Sequence, residues 1–199
     1  MTRSLRDLAT SNVRTVAKAA ESMTPLILAV ALLIAGCGGP GPKSLLPNSP
    51  RTMGLASSSF LNHDPMPTKC GADGGNVSPE LHWSSVPPAG TKSFVIVLED
   101  PDAPGEHPFV HWLVYSVPGN IDKVAAGQTP PGAVLGRNDM GMDAYFGPKP
   151  PNGTHRYVFR IYALSTTLDL PAGATEPQVI KAMKLRVLGM GELIGTFSH

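Results

Sequence analysis

Residues 93–117, Ser-Phe-Val-Ile-Val-Leu-Glu-Asp-Pro-Asp-Ala-Pro-Gly-Glu-His-Pro-Phe-Val-His-Trp-Leu-Val-Tyr-Ser-Val, carry two apolar runs separated by a charged, Pro-punctuated turn. Residues 93–98 are apolar at successive positions, as a central strand buried on both faces is, and 109–117 repeat that character until Pro118, Gly119 and Asn120 break it. A third run, 156–164, alternates: His155, Tyr157, Phe159 and Ile161 share one face, while Arg156, Val158, Arg160 and Tyr162 share the other. Strands therefore dominate the middle of the chain. Working outward, 53–60 is a weak edge strand because of its Ser run. Residues 67–83 are turn-rich, with Gly71, Gly74, Gly75, Asn76 and Pro79, and 192–197 reads as a closing strand. The sequence predicts one helix. Thr175 and Gln178 form a capping box, Pro177 sits in the first turn, Val179, Ile180, Met183 and Val187 make an apolar stripe, and Gly189 is the expected stop. Lys181, Lys184 and Arg186 fall toward its C-terminal half, where they complement the dipole.

At 199 residues, one domain is expected. Gly and Pro occur 21 times each, a composition suited to short strands and tight turns. The net charge of +1, pI near 7.8, and the lack of a clustered basic stripe give no reason to expect nucleic acid as a partner.

The N-terminus has the order of a secretory signal. Arg3, Arg6, Arg14 and Lys18 precede the apolar residues 26–35, and Gly36 and Cys37 follow. Ten apolar residues are too few for a membrane-spanning helix, which needs about 20. The ending Leu-Ile-Ala-Gly-Cys at 33–37 resembles a bacterial lipobox, which implies acylation of Cys37, palmitate included, as first residue of the mature protein. Residues 1–36 are then the signal peptide, 37–52 a flexible Gly/Pro-rich tether, and 53–199 the folded domain. The expected location is the extracytoplasmic face of the cell membrane. With Cys37 acylated, Cys70 has no intramolecular partner, and pairing between two chains stays open.

The site chemistry concentrates in 99–112 and in 147–157, Gly-Pro-Lys-Pro-Pro-Asn-Gly-Thr-His-Arg-Tyr. Asp100 and Asp102 project to one side of extended backbone and are stiffened by Pro101 and Pro104. Ala103 and Pro104 are a candidate cis bond. His111, His155 and Tyr157 complete a polar cluster able to take an anion. Other readings stay open: a zinc or iron site, though His111 and His155 stand 44 positions apart without paired spacing; an Asp–His acid–base enzyme, though no Ser in a nucleophile elbow or thiolate stands nearby; and a polar network that satisfies only itself.

The blocks Asp100 to Pro104, His111 with Trp112, and Gly147 to Tyr157 resemble, in order and spacing, the signatures of the phosphatidylethanolamine-binding protein family, and its bacterial Raf-kinase-inhibitor-like branch in particular. Asn76-Val-Ser-Pro before Trp83, Gly-Arg-Asn-Asp-Met-Gly at 136–141, and Gly-Glu-Leu-Ile-Gly-Thr at 191–196 are similar to the same branch. The resemblance implies a mainly β domain: a large central antiparallel sheet with a smaller sheet packed on it, and peripheral helices that include the C-terminal one. It implies a small pocket for phosphate-type anions or phospholipid headgroups. Asp100, His111, Pro148, Pro151, His155 and Tyr157 would line it, Asp102 and Pro104 would shape its wall, and Gly147 would let backbone approach the ligand. No catalytic residue, metal or cofactor is implied. Lys149 stands where the branch commonly has Cys, and Glu80 where it has Pro. Lys149 reads as a solvated loop lysine and Arg156 as an ion-pair partner. The implied partners are that anionic ligand and the membrane, through Cys37. A regulatory protein contact of the kinase- or protease-inhibitor kind is the alternative, an unrecognised hydrolase is further off, and a homodimer stays open.

Overall fold

The computed structural model describes residues 43–84 and 86–199. The expected signal peptide (1–36), the expected acylation site Cys37 and the first tether residues (38–42) lie outside the described residues. The described elements run in the order β1 (Leu55–Ala56), a short 3-10 turn (Thr68–Cys70), β2 (Leu81–Trp83), β3 (Ser93–Asp100), β4 (Phe109–Pro118), β5 (Lys123–Val124), β6 (Val134–Leu135), β7 (Thr154–Leu164), α1 (Glu176–Met183) and β8 (Val187–Ser198). β6-β4-β3-β7-β8 form an antiparallel five-stranded sheet, and β1-β2-β5 a smaller antiparallel one. No described helix is long and apolar enough to cross a membrane.

The strand β3 lies at the centre of the large sheet, and all eight of its residues are buried. Its alternate side chains enter two cores. Phe94, Ile96 and Leu98 meet Tyr157, Phe159 and Ile161 of β7 and Leu55, Leu81 and Trp83 of the small sheet. Val95 and Val97 meet Tyr162 and Leu164 of β7, together with Val179 and Met183 of α1. A fully buried side chain of this kind contributes about 1.5–3 kcal/mol, so the two-sided burial of β3 explains its unbroken apolar run.

Two expectations are corrected. The capping box of Thr175 and Gln178 is present, but α1 ends at Met183, with Lys184 as C-cap and Leu185 at φ 64°. Val187 and Gly189 belong to β8, where Val187 pairs with Leu164. Backbone pairing with β7 satisfies more groups than another helical turn, which overrides the apolar periodicity. Gly189 serves a close approach: a Cβ there would lie 2.0 Å from Thr52 Oγ1. The second correction concerns the tether. Residues 43–52, expected as free spacer, lie along the large sheet: Leu46 is buried in the second core, Ser44 Oγ donates to Glu99 Oε1 (2.8 Å), and Arg51 pairs with Glu192 (2.7 Å). An apolar anchor and two polar contacts offset the entropy that Gly and Pro composition alone suggests is kept.

Candidate functional site

At the site end of the sheet, β3 stops at Asp100, opposite Phe109 of β4. Asp100 Oδ1 accepts the backbone N–H groups of Asp102 (2.8 Å) and Ala103 (3.0 Å), which fixes the turn. Its Oδ2 accepts from His155 Nδ1 (2.8 Å), and both side chains are buried. With all three donors aimed at it, the Asp100 carboxylate is a positioning group. The His155 proton sits on Nδ1, so Nε2 is the ring atom left for a ligand.

Asp102 points elsewhere. Arg156 grips it through Nε (2.9 Å) and Nη2 (2.6 Å), and the Arg156 backbone N–H adds a third bond to Oδ2 (2.8 Å). The guanidinium holds the Asp102 carboxyl below its ordinary 3.8. This pair ties the turn to β7, and Arg156 is the ion-pair partner expected. The Ala103–Pro104 bond is trans, and Pro104 is exposed at the turn's outer edge.

His111 reaches the site by a device that the sequence does not display. The β3–β4 register passes from Leu98↔Trp112 to Glu99↔Val110, leaving His111 as an extra, bulged residue. A bulge lets two successive side chains share one face, so His111 joins Trp112 on the first-core side. There its ring stands 5.2 Å from Tyr157, 4.8 Å from Phe109 and 5.7 Å from Phe146. His111 Nδ1 donates to the Phe146 carbonyl (2.8 Å), leaving Nε2 unengaged by that bond. Burial among these rings lowers its pKa from the ordinary 6.5, although the Phe146 carbonyl and Asp100 both favour the cation. The Tyr157 hydroxyl is buried and without a hydrogen-bond partner among the described residues, and burial, followed by the charge of Asp100, pushes its pKa well up. It is near enough to feel that charge but not in bonding geometry with the carboxylate.

Residues 147–151 are held from behind. Gly147 N donates to Asn76 Oδ1 (2.7 Å), and Pro148 O accepts from Ala72 N (2.9 Å). A Cβ on Gly147 would lie 2.1 Å from Cys70 O and 2.7 Å from Ala72 N, so the glycine is required by the backbone at 70–72. Pro148 is buried and Pro151 exposed. Lys149 pairs with Asp73 at an exposed site (3.0 Å) and is solvated, as expected. Cys70 is fully buried with its thiol pushed up by burial, so the folded chain does not offer it for pairing between chains.

Sequence reasoning assigned no role to Asn138, Asp139, Phe109 or Phe146. Asp139 Oδ2 accepts from Val110 N (2.7 Å) and Asp139 N donates to Val110 O (3.0 Å), serving the backbone beside the bulge. Asn138 Oδ1 accepts from Met140 N and Met142 N, both at 3.0 Å, and its Nδ2 donates to Ala144 O (2.9 Å). The adjacent Asn-Asp pair between Gly136 and Gly141 was the available signal, since such residues satisfy backbone in tight loops.

A family model described as phosphatidylethanolamine-binding protein matches residues 56–198. The UPF0098 protein of Methanothermobacter thermautotrophicus is 42% identical over 150 residues, 73% of this chain and 98% of its own. A Mycobacterium tuberculosis protein provisionally named lipoprotein LppC is 37% identical over 195 residues, covering 87% of this chain and 96% of its own. Among solved structures, Chlamydia trachomatis CT736, provisionally assigned as a phosphatidylethanolamine-binding protein homologue, is similar with a TM-score of 0.70 at 36% identity. That match covers 74% of this chain and 97% of the other.

Proposed function

The chain belongs to the phosphatidylethanolamine-binding protein family, and from that premise we propose that it binds a small phosphate-type anion, free or as a phospholipid headgroup, among Asp100, His111, His155 and Tyr157. The observation that carries the reading is the Tyr157 hydroxyl, a buried donor with no partner among the described residues, standing beside two imidazoles whose Nδ1 atoms are already engaged. Leaving such a hydroxyl unpaired costs about 1–3 kcal/mol, which a ligand oxygen recovers. Tyr157 donates to one phosphate oxygen, His155 presents Nε2 to the ligand, and neutral His111 Nε2 accepts from a ligand P–OH or ammonium N–H. Few contacts and a well-hydrated ligand make the affinity weak.

The same proposal holds the protein at the outer face of the cell membrane through acylated Cys37. What supports this is the lipobox-like ending at 33–37 and the match to the protein named LppC, whose span on this chain reaches ahead of residue 56. The test is titration with phosphate and with phosphoethanolamine, followed by 31P NMR. Tyr157→Phe, which removes one oxygen and leaves the packing, and a His111→Ala, His155→Ala double variant are each expected to weaken both ligands about tenfold or more. Wild-type binding by the double variant, with its fold verified by circular dichroism, refutes the site.

A further inference from the structure

On the second-core side of the sheet, a groove of about 370 Å³ runs between the 43–52 arm and the C-terminal end of α1, lined by Leu45, Pro47, Ile180, Met183, Leu185 and Val187. Leu185 is 97% exposed, held outward at φ 64°, a conformation a leucine rarely takes, and Leu45 is 49% exposed beside it. Lys43, Lys181, Lys184 and Arg186 are exposed around this apolar strip, and none forms an ion pair with a described residue. Only five residues lie between Cys37 and Lys43, six Cα–Cα steps or a reach of about 20 Å at full extension.

We propose that this face docks on an anionic membrane surface, with Leu45 and Leu185 entering the interface and the four cations meeting the headgroups. The inference rests on the reading that Cys37 carries the acyl anchor. The clasp of Leu46, Ser44 and Arg51 makes the arm part of the domain, so the anchor delivers this face in particular to the bilayer. An acyl chain with a basic patch is the two-signal arrangement that gives stable attachment, and each cation near an anionic surface strengthens association by roughly fivefold. The orientation has a consequence for the ligand. Val187 pairs with Leu164, nine residues along β7 from His155, or about 30 Å, and the groove and Tyr157 lie on opposite faces of the sheet. Docked this way, the anion site faces away from the anchoring bilayer and draws its ligand from the aqueous side.

The test uses the acylated protein in vesicles of phosphatidylcholine with or without phosphatidylglycerol, carrying an environment-sensitive fluorophore on Leu185→Cys. Cys70 is fully buried and escapes labelling. With phosphatidylglycerol the label is expected to shift to the blue and to be quenched by brominated acyl chains, while the same label on Leu61→Cys is not. Adding Lys181→Glu and Lys184→Glu should reduce the docked population at least roughly twentyfold. Protein that stays on the vesicles with residue 185 in water, or a shift indifferent to charge reversal, refutes the docking and leaves the anchor standing. Protein that leaves the vesicles altogether, with an unmodified Cys37 peptide by mass spectrometry, refutes both.

Discussion

Replacing Asp100 tests whether the site end of the sheet is built around one carboxylate. Asp100 accepts three N–H donors, two from the turn backbone and one from His155, in a buried setting. Asp100→Ala orphans all three. Bonds to a charged acceptor contribute about 1.5–3 kcal/mol each, but the turn re-solvates in part, so the expected loss is about 3–5 kcal/mol. For a domain of this size that lowers Tm by roughly 10 °C. Asp100→Asn behaves differently. Its Oδ1 still accepts from the turn, and its NH2 donates to His155 Nδ1, which drives the imidazole proton to Nε2. The expected cost is about 1–2 kcal/mol, and His155 then presents Nε2–H to the ligand. Urea unfolding followed by the fluorescence of Trp83 and Trp112 measures the energies, and 15N NMR of the histidines reads the tautomer. If Asp100→Ala stays within about 1 kcal/mol of wild type, or the Asn and Ala variants are equally unstable, the carboxylate does not organise this end.

Gly147→Ala places a Cβ against backbone atoms at 2.1 and 2.7 Å, with no flexible side chain to yield, and should cost about 3 kcal/mol or prevent folding in thermal denaturation. Glu176 lies buried near Glu99, and burial, then that charge, push its carboxyl up to about 8. The folded state therefore holds this proton more tightly than the unfolded one, whose value is about 4.5. The contribution is complete below about 4.5 and is lost as pH rises through about 8; Glu176→Gln should flatten the unfolding free energy over that window, and an unchanged slope counts against the assignment. For His111 the sign is reversed. Burial lowers its folded pKa from 6.5, so the unfolded state takes the proton first and stability is lost as pH falls below 6.5. His111→Gln should abolish that loss and respond less to added phosphate than wild type, measured by Tm at pH 7 and pH 5 with and without phosphate.

The three long strands were legible because each is buried on a schedule its residues spell out: β3 and β4 on both faces, β7 by alternation. The helix start was equally plain, since a capping box is a local device. Its end was not, because Val187 continues the helical period and only pairing with Leu164 assigns it to β8. The same division runs through the site. Asp100, His111, His155 and Tyr157 could be gathered from motif and alternation, whereas the bulge that turns His111 onto their face has no glycine to announce it. At Gly147 the requirement for glycine is set by the backbone at 70–72, remote in sequence, which no local motif announces. Likewise the arm, whose composition says spacer, is held by Leu46 and by polar contacts of Ser44, Pro50 and Arg51 that exist only once the sheet is formed.

The Asp100–His155 bond joins residues 55 positions apart, and His111 receives its carbonyl partner from Phe146, 35 positions on. The site is therefore not assembled until β7 has been added to the sheet. Ligand bound there stabilises only finished molecules, by about 1.4 kcal/mol at tenfold excess over Kd, and gives nothing to a partly folded one. On the reading proposed above, anion occupancy is therefore a built-in certificate of completed folding.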